Sequence, residues 1–116
     1  QNKKEGIFMP KSEKEKPVTF SKEDIPSLKF SHKDFLNLYY FMKLSREIEL
    51  RVINLYRQGK ILGGVYSGIG HEAISVGSTF VLGEDDILLP MHRDMGAHLV
   101  KGQTVERILA QYLGKE

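Results

Sequence analysis

Gly63-Gly64-Val65-Tyr66-Ser67-Gly68-Ile69-Gly70-His71-Glu72-Ala73, followed by Ile87-Leu88-Leu89-Pro90-Met91-His92-Arg93-Asp94-Met95-Gly96, decides how the chain is read. The first stretch is a glycine-rich loop running into a small-residue helix, expected from His71 to about Leu82. Such loops let backbone N–H groups approach a phosphate at a helix amino terminus. The spacing is neither the dinucleotide fingerprint nor a P-loop, so taken alone the loop reads as a tight structural turn sooner than as a phosphate site. Gly83-Glu84-Asp85-Asp86 then supplies turn chemistry. Ile87-Leu88-Leu89 is a short continuous apolar run, expected as a buried strand ended by Pro90. The strand delivers His92 and Arg93 to the start of the next helix, and in open α/β sheets ligands collect at strand carboxyl ends. The planar fork of Arg93 suits a diphosphate, and His92 adds a donor. The competing reading pairs Arg93 with Asp94, Asp85 or Asp86 in ordinary surface ion pairs.

Upstream, Ser31-His32-Lys33-Asp34 opens a long helix, with Ser31 as cap and Asp34 three residues on as a near-capping-box. Leu38, Phe41, Leu44, Ile48, Val52 and Leu55 recur at three- and four-residue steps and form its apolar face. Arg46, Glu47, Glu49, Arg51 and Arg57 are assigned to its other sides. Gly59 is placed to stop the helix. Downstream, a helix runs through Gly96 to Val100 and stops at Lys101-Gly102. Thr104 caps a last helix, Val105 to Leu113, whose inner face is Ile108, Leu109 and Tyr112. Residues 1–30 carry Pro10, Pro17 and Pro26 among Lys and Glu, and read as an extended or disordered arm. The expected foldable part is residues 31–116, mostly helical with a short core strand. One strand is not a sheet, so the chain is expected to be incomplete or to pair with another.

With 116 residues the chain has room for one domain. A net charge of +2 gives no footprint for nucleic acid or a membrane surface. The absence of cysteine excludes disulfides and thiolate chemistry, and fits a reducing compartment. No apolar run approaches the ~18 residues that span a bilayer. Gln1-Asn2-Lys3-Lys4-Glu5 is not followed by an apolar stretch, so a secretory signal is not expected. Gln1 is not an initiator methionine, which leaves room for residues upstream.

Other chemistries find little support. His92, Asp94 and His98 lie close in sequence but lack the His-Glu-x-x-His pattern, and His71-Glu72 has no second histidine at helical spacing. A metal site made by this chain alone is therefore not expected. Ser67 is not set in Gly-x-Ser-x-Gly, which argues against a serine nucleophile.

Taken in order, the segments resemble the alpha subunit of the decarboxylating component of 2-oxo acid dehydrogenase complexes, of pyruvate or branched-chain type. The residues that carry the resemblance are Arg46-Glu47-Ile48-Glu49, Gly70-His71-Glu72-Ala73, His92-Arg93-Asp94-Met95-Gly96 and Leu113-Gly114-Lys115, over about residues 33–116. The resemblance implies an α/β thiamine-diphosphate-binding fold, of which residues 31–116 are the amino-terminal fragment. It implies oxidative decarboxylation of a 2-oxo acid, with acyl transfer to a lipoyl-bearing acyltransferase. The partner would be a beta subunit, in a heterotetramer in the cytoplasm or the mitochondrial matrix. The cofactors would be thiamine diphosphate and Mg2+, with the metal ligands beyond residue 116, so the 116-residue chain alone is expected to be inactive. By position, Arg93 and His92 match the diphosphate-binding pair, and Tyr66 and Ser67 match the loop lining the substrate channel. A histidine is common there in the pyruvate type, so Ser67 leaves branched-chain substrates open. The alternatives are another thiamine-diphosphate enzyme with the same phosphate end, or a stand-alone helical interaction module whose 31–59 helix docks on a partner.

Overall fold

The computed structural model describes residues 30–115. The reading of residues 1–29 as an arm lies outside the described residues. Four helices follow one another: α1 (His32–Arg57), α2 (Glu72–Phe80), α3 (Met95–Val100) and α4 (Val105–Tyr112).

Local chemistry sets the helix ends. At the start of α1 the Asp34 N–H donates to Ser31 Oγ at 3.2 Å, and the Ser31 N–H donates to Asp34 Oδ2 at 2.7 Å. This reciprocal pair satisfies donors that the first turn leaves free. At the other end, the Gly59 N–H donates to the Tyr56 carbonyl and the Lys60 N–H to the Leu55 carbonyl. Gly59 sits at φ 69°, a left-handed conformation that side chains resist. The same hydrogen-bond pattern closes α3 at Gly102 and α4 at Gly114.

The core gathers on the carboxyl-terminal half of α1. Ile48, Val52 and Leu55 are buried with Ile61, Met95, Leu99 and Ile108. Phe41, Leu44, Leu109, Tyr112 and Leu113 pack around them, partly buried. Phe35, Leu36, Tyr39 and Tyr40, on the opening turns of α1, are exposed. Helices α2 and α3 meet at Gly96, where a methyl group would lie 2.5 Å from Val76 Cγ2 and 2.6 Å from Ser75 Oγ. Only a glycine allows the two backbones this approach.

Expectations are corrected in three respects. No strand forms among the described residues. Ile87 and Leu89, expected in the core, are 90% and 92% exposed. A strand exists through its neighbours' hydrogen bonds, and none of the described segments offers an edge to pair with. The second correction concerns Glu49, assigned to an outer side of α1, which is 1% exposed and faces inward. The helices expected over 71–82 and 105–113 are shorter, ending at Phe80 and Tyr112 with Val81 and Leu113 as caps.

Candidate functional site

The site forms where the 63–71 loop meets the 91–94 turn. Two carboxylates hold the loop. Glu49, inside the core, accepts the Gly68 N–H on Oε1 at 3.1 Å. Glu72, in the first turn of α2, accepts the Gly70 N–H on Oε2 at 2.9 Å and binds Arg46 Nε through Oε1. Glu72 is buried, and its hydrogen bond from Arg46 holds its carboxyl below the usual carboxylate range against the opposing effect of burial. The loop is thus tied to α1 at Gly68 and, through Glu72, at Gly70. Its Gly63–Gly64 end is exposed.

The second element is the turn that starts α3. The Asp94 N–H donates to the Met91 carbonyl, and the Met91 N–H donates to Asp94 Oδ2, both at 2.9 Å. Asp94 is therefore occupied with its own turn. Asp86 likewise accepts the Gly83 N–H at 2.7 Å. Among the described residues Arg93 forms no ion pair, so the pairing with Asp85, Asp86 or Asp94 weighed above does not occur. Its side chain is exposed.

Loop and turn touch at two places. The rings of Tyr66 and His92 pack edge to face with centroids 4.9 Å apart. Two residues on, Gly68 lies against the main chain of Arg93, where a methyl group would come within 2.1 Å of the Arg93 carbonyl oxygen. Tyr66, His92 and the Arg93 backbone are thereby brought together from positions distant in sequence. Ser67 is exposed, and its Oγ accepts the Ile69 N–H at 3.2 Å as part of the loop's own turn. Beside His92 opens a cavity of about 300 Å3 lined by Gly64, Met95, His98, Gln111 and Tyr112 among others. Burial, and then the charge of Glu49, push the Tyr112 phenol up from its ordinary value.

Sequence reasoning missed the part played by Glu49 and Glu72. The signal was present, since both fall in the Arg46–Glu49 and Gly70–Ala73 segments. Hydrophobic periodicity gives no weight to a carboxylate that turns inward. The cavity-lining Gln111 left no comparable signal, and Tyr112 was legible as an inner-face residue of the last helix but not as part of a cavity.

No group of three or more His, Asp or Glu among the described residues is placed to hold a metal ion. No helix among them is long and apolar enough to cross a membrane. The donors that are present, the exposed guanidinium of Arg93, without an ion pair among the described residues, and the imidazole of His92 next to it in sequence, suit an anionic group rather than a cation.

Comparison with known proteins bears on this arrangement. Residues 40–116 match the family model described as dehydrogenase E1 component. The 2-oxoisovalerate dehydrogenase subunit alpha of Bacillus subtilis is 36% identical over 90 residues, covering 77% of this chain and 27% of the relative. A pyruvate dehydrogenase E1 component subunit alpha of Rhizobium meliloti is 35% identical over 86 residues, 74% of this chain and 25% of the relative. The mitochondrial pyruvate dehydrogenase E1 component subunit alpha of Chaetomium thermophilum is 29% identical over 89 residues, 77% and 22% respectively. The chain spans about a quarter of the length of these relatives. No solved structure matches the chain significantly.

Proposed function

The chain belongs to the dehydrogenase E1 component family, and from that premise we propose that it contributes the diphosphate end of a thiamine diphosphate site in the alpha subunit of a 2-oxo acid dehydrogenase. The carrying observation is the meeting of the two loops, with Tyr66 on His92 and Gly68 on the backbone of Arg93, which forms no ion pair among the described residues. Arg93 would hold the diphosphate through charge-assisted bonds, and His92 would add a donor. Tyr66 and Ser67 would line the approach of substrate. When bound, thiamine diphosphate supplies the carbanion chemistry of decarboxylation that no side chain here provides. The work left to these residues is to hold and orient it.

The parent enzyme in this reading decarboxylates a 2-oxo acid and passes the acyl group to the lipoyl arm of an acyltransferase. Ser67 at the channel position keeps branched-chain acids open beside pyruvate. A beta subunit completes the site, and Mg2+ would take its ligands from residues beyond Glu116. Residues 31–116 are then the amino-terminal part of an α/β cofactor-binding domain.

The test is titration of thiamine diphosphate, with Mg2+, into the native full-length assembly, followed by calorimetry. Removing one charged hydrogen-bond partner costs about 1.5–3 kcal/mol, so Arg93→Ala should weaken binding about tenfold to a hundredfold. Wild-type affinity in that variant would sink the assignment of Arg93. No binding by the wild-type assembly would sink the function.

A second reading, a helical interaction module, draws on the exposed Phe35, Leu36, Tyr39 and Tyr40 of α1. In that case Arg93→Ala leaves partner binding intact and thiamine diphosphate gives the protein no thermal protection.

A further inference from the structure

Glu49 is an anomaly that the cofactor reading does not absorb. It is a carboxylate on the core-facing side of α1, 1% exposed, flanked in sequence by the buried Ile48 and, one turn on, by Val52. An apolar residue there would pack without the penalty of taking a charge out of water. What Glu49 provides instead is an acceptor for the Gly68 N–H, at 3.1 Å in a buried setting.

Gly68 is the residue that rests on the Arg93 carbonyl, with no space for a side chain between them. It is also two residues from Tyr66, whose ring packs on His92. A continuous line of contact therefore runs from the core of α1 through one backbone amide to both residues of the 91–94 turn that face the proposed site. Gly68 does not take a left-handed φ, so its role is space. The position of its amide is set from outside the loop, by Glu49.

We propose that Glu49 is a positioning residue, which holds Gly68 from inside the core and so fixes the turn that presents His92 and Arg93 to a diphosphate. The inference rests on the function proposed above and adds the residue that sets the geometry of its site.

The experiment compares Glu49→Asp, Glu49→Gln and Glu49→Leu in the native full-length assembly. It has three readouts: amide hydrogen exchange without cofactor, thiamine diphosphate affinity, and kcat at saturating cofactor. Glu49→Asp withdraws the acceptor by one methylene, whereas Glu49→Gln keeps an acceptor oxygen at the same reach. Glu49→Asp should speed exchange at Gly68 and across residues 91–94 while the carboxyl-terminal turns of α1 keep their protection. It should also weaken thiamine diphosphate binding about tenfold or more, as expected for a misplaced binding group, with kcat at saturating cofactor nearly unchanged. Glu49→Gln should stay within about threefold of the wild type, because the hydrogen bond survives. Glu49→Leu should match or exceed Glu49→Asp. Should it fail to fold, the aspartate variant decides.

Unchanged exchange across 91–94 in Glu49→Asp overturns the proposal. So does a Glu49→Gln variant as impaired as Glu49→Asp, since the bond to Gly68 would then be irrelevant. If the wild type binds no thiamine diphosphate, the proposed function fails. The exchange comparison still decides whether Glu49 holds the turn.

Discussion

Gly96 and Glu72 show how little freedom single positions have around the loop. A methyl group at Gly96 meets Val76 and Ser75 at 2.5 and 2.6 Å, so Gly96→Ala must push α2 and α3 apart. Overpacking of this kind costs about 1–3 kcal/mol, measurable as a lower urea midpoint at unchanged slope. Glu72 is constrained by charge. Its folded pKa lies below the ordinary carboxylate value, chiefly through the hydrogen bond from Arg46. A carboxyl depressed on folding contributes stability that is present above its unfolded pKa and disappears as pH falls through the folded one. The stability gap between wild type and Glu72→Gln should therefore be full near neutrality and close on acidification through and below the usual carboxylate range. Urea unfolding of both proteins across a pH series measures it. A gap that widened in acid would contradict the assignment of the Arg46–Glu72 bond.

At the scale of elements, helix ends and helix bodies obey different rules. Gly59 at φ 69° has nothing within 4 Å of where a Cβ would stand. Gly59→Ala should therefore lose only the conformational preference, about 1–2 kcal/mol, and Gly59→Asn should lose less, because Asn tolerates that conformation. Thermal melts of the three proteins test the order. Caps of this type were legible in the sequence because they depend on neighbours in the chain. Ser31 with Asp34, Gly59, Gly102 and Thr104 all stand where the residue types placed them. The apolar face of α1 was legible too, through Ile48, Val52 and Leu55. The strand at 87–89 was not, because a strand is made by partners remote in sequence and three apolar residues do not name them. The inward turn of Glu49 was hidden for a related reason. Its partner is the amide of Gly68, and a main-chain amide carries no residue identity to read. At the candidate site, His92 and Arg93 could be picked out by chemistry, whereas their contact with Tyr66 and Gly68 is a product of the packing of α1, α2 and α3.

Across the described residues, large apolar side chains stand exposed at several places. They include Phe35, Leu36, Tyr39 and Tyr40 on the opening half of α1, Leu62 and Ile74, and the segment holding Ile87 and Leu89. Where exposed apolar side chains adjoin in a patch, they mark surfaces for other protein or for association. Since Ile87 and Leu89 make almost no contacts within the described residues, the double substitution Ile87→Lys, Leu89→Lys should change the stability of the 116-residue chain by no more than about 0.5 kcal/mol. It should also reduce self-association. Sedimentation velocity with a parallel melt checks both. A large loss of stability would place these side chains in the core after all.

The edge-to-face contact of Tyr66 with His92 has an optical consequence. The 116-residue chain contains no tryptophan, five tyrosines and six phenylalanines, so under excitation beyond the phenylalanine band its emission arises from tyrosine. Among the described residues, Tyr66 is the one whose ring is recorded against an imidazole. Anything that draws His92 toward an anion changes the surroundings of that one fluorophore. The difference in emission between the wild type and Tyr66→Phe is thus a built-in, label-free report of events where the two loops meet.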